Sequence, residues 1–182
     1  MLKFILLGFL DYSSMTGYEL KQSIDNYTGH FWHAHHSQIY TTLRLMEKDG
    51  LVNSVFIRED DALRRRVYTL TEMGKKELTD WLNTPMTEVT LLKEDFLVRI
   101  FFSGLRDPLA VLDELAIQRK LHLETQKSYQ KLKDCMPYQN EPENIGLENH
   151  QKFWDLTLEM GLLYEKMYLE WLDIAEKTIK PE

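Results

Sequence analysis

The sequence predicts a mainly α-helical fold in two parts, with a short β-hairpin inside the first part. Apolar residues recur at spacings of three and four over most of the chain, which is typical of helices. A capped helix, Ser37–Lys48, ends before Gly50, and two β-type runs, Leu51–Ile57 and Arg66–Leu70, follow directly. Beyond Pro85 the pattern is almost purely helical. A helix followed at once by a hairpin is the layout of a winged helix-turn-helix, here with a three-helix core and a two-stranded β-wing. We expect an all-α dimerisation domain after it.

Composition and charge limit the class of protein. With 182 residues, 43% hydrophobic and 28% charged, the chain is expected to fold around a core. The single cysteine, Cys135, has no partner for an internal disulfide, which favours a reducing, cytoplasmic setting. The ten-residue apolar run at the start is too short to span a bilayer, so we predict no membrane partner. Residues 1–85 carry 10 basic and 11 acidic side chains and residues 86–182 carry 12 and 18, so the net charge of −7 lies mostly in the second part.

The first part, residues 1–85, contains three further predicted helices. They cover Lys3–Leu10, Thr16–Gly29 and Thr71–Leu82, with Thr16 and Thr71 as N-terminal caps. Four residues of the second helix are spaced for burial on one side: Tyr18, Leu20, Ile24 and Tyr27. The segment Asn83–Pro85 combines helix-breaking residues and is the predicted domain boundary.

The capped helix before the hairpin is the predicted recognition helix. Ser37 is its predicted N-cap, and Gly50 supplies a left-handed C-cap. Three apolar side chains follow at spacings of four and three and lie on one face: Ile39, Leu43 and Met46. The other faces carry polar side chains and remain available to solvent or a partner.

The second part, residues 86–182, is predicted to be helical and to dimerise. Leu91–Leu105 forms one helix, and two long helices cover about 108–135 and 146–178, separated by a polar connector. The last helix carries an apolar seam with coiled-coil spacing: Phe153, Leu156, Met160, Tyr164, Met167, Trp171 and Ile174. Further apolar residues lie outside this seam, and one neighbouring helix cannot cover so wide a surface. We therefore predict a homodimer. Its predicted interface contains Leu156, Met160, Met167, Trp171 and Ile174.

The recognition helix and the hairpin present candidate DNA contacts. Gln38 can read adenine through the N6 and N7 edge in the major groove. The other candidates on the helix are Ser37, Tyr40, Thr41, Thr42, Arg44 and Lys48. The candidates in the wing are Arg64, Arg65 and Arg66. Two alternatives stay open, because the helix residues can form a solvated face, and the arginines can pair with the acidic wing tip, Glu59–Asp61.

Histidines and aromatic residues supply two further hypotheses. The cluster of His30, His33, His35 and His36 has metal-ligand chemistry, but no cysteine is near and the chain has no HExxH motif. Surface or phosphate-contacting histidines are favoured, so we predict no metal, no cofactor and no enzymatic activity. Four aromatic residues of the last helix are candidates to bind a planar effector: Phe153, Trp154, Tyr164 and Tyr168. An aromatic stripe at helical spacing is more often core, and the core interpretation is favoured.

Several stretches along the chain resemble those of a known family. The chain contains ILLGFL…MTGYEL, then FW…SQIYTTLRLMEKDGLV and RRVYTLTEMGKKEL..WL, and it resembles the PadR family of bacterial transcriptional regulators. LLKEDFLVRIFF and LTLEMGLLYEKMYLEWL resemble the α-helical C-terminal domain of that family. The resemblance implies a winged-helix DNA-binding domain, dimerisation through C-terminal helices, repression of a nearby promoter and, for some members, binding of small aromatic molecules.

The expectation is a homodimeric, sequence-specific DNA-binding regulator, most consistent with a repressor. Each protomer inserts its recognition helix in a major groove of double-stranded DNA, and the two half-sites of a pseudo-palindromic operator lie roughly 34–36 Å apart or a multiple of it. A winged-helix adaptor that binds proteins instead of DNA is the main alternative, and a histidine-dependent metal protein is the next.

Overall fold

The structure is a computed structural model that describes residues 1–57, 65–90, 93–134 and 148–180. Contacts divide the chain into two compact units, Met1–Val89 and Thr90–Glu182, and each is described by itself. The predicted mainly α-helical fold, with a winged helix first and a helical region after it, is confirmed. Among the described residues, no helix has the length and apolar character needed to cross a membrane.

The first unit is built from four helices and three strands. The elements are α1 (Leu2–Tyr12), β1 (Met15–Thr16), α2 (Gly17–Ser23) with a π-helical continuation (Ile24–Thr28), α3 (His36–Lys48), β2 (Val52–Ile57), β3 (Arg65–Leu70) and α4 (Glu72–Asn83). The helices and the hairpin strands lie within a few residues of their predicted positions.

The wing sheet has a third strand that the sequence did not predict. All pairs are antiparallel in the order β1-β3-β2, with Met15 paired to Tyr68 and Thr16 to Val67. The prediction of a two-stranded wing was therefore incomplete, because two residues are too few to show strand alternation. Thr16 also caps α2: its Oγ1 accepts a hydrogen bond from the Glu19 amide at 3.2 Å, and the Thr16 amide donates to Glu19 Oε2 at 2.7 Å.

The core of the first unit lies between α1, α2, α3 and the sheet. Its fully buried side chains include Leu6, Leu7, Leu20, Ile24, Ile39, Leu43, Met46 and Val52. The predicted apolar face of α3 is thus confirmed, and burial of each such side chain contributes about 1.5–3 kcal/mol. Tyr18 and Tyr27, predicted to be buried with Leu20 and Ile24, are instead exposed.

The two ends of α3 differ in how well the sequence predicted them. Gly50 has φ 72° and is the left-handed residue expected after the helix. The N-cap is His35, not Ser37, and Ser37 lies inside the first turn. Gln38 stabilises this earlier start, since its Oε1 accepts a hydrogen bond from the His35 amide at 2.9 Å.

The second unit contains α5 (Asp95–Phe101), a 3-10 turn (Ser103–Leu105), α6 (Pro108–Asp134) and α7 (Glu148–Ile179). The prediction of one continuous helix from Leu91 to Leu105 is wrong. Glu94 caps α5 by accepting from the Phe96 amide at 3.4 Å, and α5 ends at Phe101 before Ser103 and Gly104, which are poor helix formers. Residues 91–92, Cys135 and the connector 136–145 lie outside the described residues.

The two long helices, α6 and α7, pack against each other and form the core of this unit. The buried cluster contains Phe96, Leu115, Tyr168 and Leu172. Arg119 of α6 bridges the two helices, because it donates to Asp173 Oδ1 at 2.6 Å and to Glu176 Oε1 at 3.0 Å. One face of α7 is therefore packed against α6 of the same chain.

Candidate nucleic-acid interface

The side of α3 opposite the core carries a polar row. Ser37, Thr41, Arg44 and Lys48 follow at spacings of four, three and four, so they lie on one helical face, and all four are exposed. Ile39, Leu43 and Met46 anchor the other side of the same helix in the core. The row therefore faces away from the core of the first unit.

Two more predicted contacts on α3 already have intramolecular roles. Gln38 is exposed, but its Oε1 accepts from the His35 amide at 2.9 Å. Thr42 is half-buried, and its hydroxyl donates to the Gln38 carbonyl oxygen at 2.8 Å. Bidentate reading of adenine by Gln38 would use the same Oε1 that accepts this capping bond.

Tyr40 packs on the flank of α3 against the start of α2. Its ring lies over Gly17 so closely that a Cβ there would be 2.5 Å from Tyr40 Cε1. The ring remains 41% exposed. The absence of a Cβ at Gly17 thus leaves room for the Tyr40 ring beside the start of α2.

The wing arginines are in different surroundings. Arg65 is exposed at the start of β3, whereas Arg66 is half-buried. Arg66 Nε donates to Ser54 Oγ at 2.9 Å, and its Nη2 donates to Glu47 Oε2 at 2.5 Å. Arg64 and the acidic tip Glu59–Asp61 lie outside the described residues.

Glu47 and Ser54 were not singled out from the sequence, yet they join the recognition helix to the wing. Ser54 Oγ donates to Glu47 Oε1 at 2.5 Å. That hydrogen bond, together with the hydrogen bond and charge of Arg66, holds the pKa of the Glu47 carboxyl below its usual value. The contact of Glu47 with Ser54 and Arg66 depends on how the helix and the hairpin pack, so a local sequence pattern cannot predict it.

The end of β2 carries three consecutive exposed apolar side chains. Val55, Phe56 and Ile57 are each about half exposed, and β2 is an edge strand. Their signal in the sequence is the loss of alternation after Ser54. The wing therefore offers an apolar as well as a basic surface.

The four clustered histidines do not converge. His35 caps α3, His36 stacks on Tyr18 with centroids 6.4 Å apart, and His30 packs edge-on against Phe31 at 4.7 Å. In the part of the chain that the structure describes, no three side chains of metal-ligating type come together.

The candidate effector residues of α7 separate into two groups. Tyr168 is 4% exposed and stacks on His122 at 3.6 Å, with the Tyr164 ring 6.0 Å away. Burial, with a smaller effect of nearby Glu94, raises the pKa of Tyr168 to about 12. Phe153 is exposed, and it lies roughly 22 Å from Tyr168 along the helix at 1.5 Å per residue. Trp154 is half-buried and stacks on His150 with centroids 6.1 Å apart.

A buried polar pair accompanies these tyrosines. Glu165 is buried, and its Oε2 lies 2.5 Å from His122 Nδ1. The pair satisfies two polar groups inside the apolar contact of α6 with α7.

One face of α7 is apolar, and its side chains are exposed among the residues that the structure describes. We call it the α7 stripe: Phe153, Leu156, Met160, Leu163, Met167 and Ile174, each 51–65% exposed. It includes four of the five predicted interface residues. The fifth, Trp171, is half-buried and packs edge-on against Phe96 at 6.2 Å and Tyr168 at 5.4 Å.

Comparison with known proteins gives consistent matches over both units. The model of the transcriptional regulator PadR-like family matches residues 6–80, and that of the virulence activator alpha C-terminal domain matches residues 92–180. The chain is 30% identical over 178 residues to the negative transcriptional regulator PadR of Bacillus subtilis (strain 168), covering 94% of this chain and 93% of that protein.

Solved structures are similar over nearly the whole chain. The structure of Bacillus subtilis PadR in complex with operator DNA has a TM-score of 0.81 and 26% identity, covering 98% of this chain and 99% of that one. The structure of the same protein in complex with p-coumaric acid has a TM-score of 0.75 and 26% identity, covering 98% of each chain.

Proposed function

Since the chain belongs to the PadR-like family of transcriptional regulators, we propose that it represses transcription by binding a pseudo-palindromic operator as a homodimer. The relative whose structure contains operator DNA supports this, because the likeness covers 98% of the present chain. Residues 1–85 would bind DNA and residues 86–182 would dimerise.

The observation that carries the proposal is the exposed polar row of α3. A 13-residue helix is about 20 Å long, and the major groove admits an α-helix. Ser37 and Thr41 can contact base edges or phosphates, while Arg44 and Lys48 supply positive charge. Tyr40 and Thr42 flank the row. Arg65, and Arg64 beyond the described residues, would contact neighbouring phosphates from the wing.

Sequence preference is proposed to depend on Gln38, next to the polar row. Gln38→Ala should weaken binding to the preferred site by roughly 1–3 kcal/mol relative to other sequences. Competition titrations with the preferred duplex and a scrambled duplex measure this difference. Equal weakening on both duplexes would show that Gln38 does not contribute to sequence preference. Its role would then be to accept the hydrogen bond from the His35 amide at the start of α3.

The homodimer is proposed to form through α7. The α7 stripe leaves six large apolar side chains in water on a single chain, and covering them releases free energy of about 25 cal/mol per Å². A twofold axis would place the same stripe of a second copy opposite it. Two recognition helices at the spacing of successive major grooves then follow from the dimer.

A small aromatic effector is proposed to weaken DNA binding. The relative with p-coumaric acid supports this, as do the aromatic and polar side chains gathered around Tyr164 and Tyr168. Phe153 and Trp154 lie elsewhere on α7, so they would contact an effector only if the dimer brought them close to Tyr164 and Tyr168 of the second copy. Titration of the operator complex with hydroxycinnamic acids tests it by loss of fluorescence anisotropy. As for other regulators of the family, we propose a cytoplasmic protein without enzymatic activity.

Selection of bound fragments from a random DNA pool tests the main proposal. The selected fragment should contain two related half-sites, and its affinity should fall steeply with salt as condensed counterions are released. Absence of binding to every duplex in dilute buffer would contradict DNA binding and favour the adaptor function.

A further inference from the structure

We propose that Glu47, Ser54 and Arg66 form a helix–wing bridge that sets the position of the wing relative to the recognition helix. In this proposal, Arg66 is a positioning residue for DNA recognition and not a phosphate contact. The inference rests on the proposed DNA binding and assigns a role to three residues within it.

The bridge joins three elements of the first unit. Glu47 belongs to the last turn of α3, Ser54 to β2 and Arg66 to β3. Both carboxylate oxygens of Glu47 accept, one from Ser54 at 2.5 Å and one from Arg66 at 2.5 Å, and Arg66 also donates to Ser54 at 2.9 Å. Three hydrogen bonds therefore close a triangle that a movement of the wing away from α3 must open.

The strand register places the bridge on one face of the sheet. Ser54 pairs with Tyr68 and Phe56 with Arg66, so these four residues alternate on the same face of β2 and β3. The Arg66 guanidinium lies over the Phe56 ring at 5.5 Å and over the Tyr68 ring at 5.3 Å. Tyr68 belongs to the buried core of the first unit, so the bridge is in contact with that core through the Tyr68 ring.

Two of the N–H donors of Arg66, one on Nε and one on Nη2, are directed at protein partners. Its planar guanidinium makes two hydrogen bonds and two ring contacts at once, an arrangement that a lysine ammonium cannot reproduce. A phosphate would have to displace the Glu47 carboxylate to gain the same donors. Arg65, the preceding residue, is exposed and is the better phosphate contact.

Glu47 gives the proposal its sharpest test, because charge and position predict opposite results. A carboxylate on the recognition helix repels DNA, so its removal should strengthen binding if charge alone matters. If Glu47 holds the wing in place, its removal should weaken binding. Asp49 is a matched control, since it is an exposed carboxylate two residues away at the end of α3.

The experiment measures affinity for a selected operator fragment as a function of salt, using the full chain. Glu47→Ala and Arg66→Ala should each weaken binding roughly five- to tenfold, and the double variant should be no weaker than either one, as expected for residues that act through one contact. Asp49→Ala should bind as tightly as the wild type or more tightly. Glu47→Gln, which keeps an oxygen acceptor, should recover most of the affinity.

Salt dependence and a lysine variant separate positioning from phosphate contact. Arg65→Ala should reduce the slope of log K against log salt by about 0.9, the value for one lost phosphate contact, whereas Arg66→Ala should leave the slope unchanged. Arg66→Lys should lose as much affinity as Arg66→Ala. Circular dichroism of each variant reports whether the helices remain folded.

Three results would overturn the inference. The first is tighter operator binding by Glu47→Ala than by the wild type. The second is a salt slope that Arg66→Ala reduces as much as Arg65→Ala does. The third is wild-type affinity in Arg66→Lys. If Glu47→Ala is unfolded, the comparison of Glu47→Gln and Arg66→Lys decides the same question. A wild-type chain that binds no duplex contradicts the proposed function itself, which keeps the two failures distinct.

Discussion

Gly74 shows how a single absent Cβ determines the packing of the first unit. It lies in the first turn of α4, where its amide donates to Thr71 Oγ1 at 3.0 Å. A Cβ at this position would lie 2.1 Å from the carbonyl oxygen of Leu51 and 2.7 Å from Leu70 Cδ1. Backbone cannot yield as a flexible side chain does, so α4 would have to move.

We predict that Gly74→Ala lowers the free energy of unfolding of the first unit by about 1–3 kcal/mol, the usual cost of overpacking. Urea unfolding followed by circular dichroism measures it. Gly8→Ala is the matched control, because no atom of the described residues lies within 4 Å of a Cβ at that position in α1. This control should gain about 0.5–1 kcal/mol from helix propensity, and unchanged stability of Gly74→Ala would contradict the close approach.

At the scale of single residues, the sequence predicted what local chemistry decides. The buried face of α3 and the left-handed Gly50 follow from spacing and from glycine's freedom at positive φ. Ser37 is a good N-cap residue type, so the sequence predicts the start of α3 there, whereas the hydrogen bond from the His35 amide to Gln38 accompanies the earlier start at His35. The partners of Arg66 come from another helix and strand, so they required the fold.

At the scale of elements, strength of pattern decided which predictions held. The long helices α6 and α7 repeat their spacing over many turns and were found close to their predicted ends. A two-residue strand such as β1 has no pattern to detect. The helix predicted over Leu91–Leu105 joined two shorter elements, since the apolar spacing continues past the end of α5 at Phe101.

The packing of α6 on α7 leads to a prediction for alkaline pH. Burial raises the pKa of Tyr168 from 10.0 to about 12, and it also raises the pKa of Tyr129 and Tyr164. The folded state therefore keeps protons that the unfolded state releases above pH 10. The contribution of these phenols to the stability of the second unit is fully present below the unfolded pKa, and it is lost as the pH rises from about 10 to 12.

We expect the free energy of unfolding to fall by at most about 1.4 kcal/mol per pH unit for each buried phenol in that window. Urea unfolding between pH 9 and pH 11 measures the slope. Tyr168→Phe, which removes the buried phenol, should make the slope shallower than in the wild type. Identical slopes for Tyr168→Phe and the wild type would contradict the shift.

At the scale of the whole molecule, the sequence indicated that α7 has more apolar surface than one neighbour can cover. It did not indicate which side faces α6, because apolar residues occupy more than half of the helix circumference. The structure assigns Leu158, Tyr168 and Leu172 to the chain's own core and leaves the α7 stripe exposed. Trp171, half-buried against Phe96, lies at the border of the two surfaces.

Met160, in the middle of the α7 stripe, is the informative position for the homodimer. Met160→Asp places a carboxylate in the proposed interface and should convert the dimer to monomers in sedimentation velocity. Lys166→Asp puts the same side chain on an exposed polar face of α7 and should leave the dimer intact. A dimer that persists in Met160→Asp would place the interface on another surface.

The short strand β1 has a consequence for recombining regulators of this kind. It hydrogen-bonds to β3 through Met15 and Thr16, and the Ser14 and Thr69 hydroxyls lie 2.8 Å apart beside it. The hairpin is therefore held by a stretch of chain some fifty positions earlier, which directly precedes α2. In a chimera that takes residues 51–70 from another family member, β3 would pair with a β1 strand of a different sequence. DNA sequence specificity should transfer intact only when segment 14–17 is taken from the same family member.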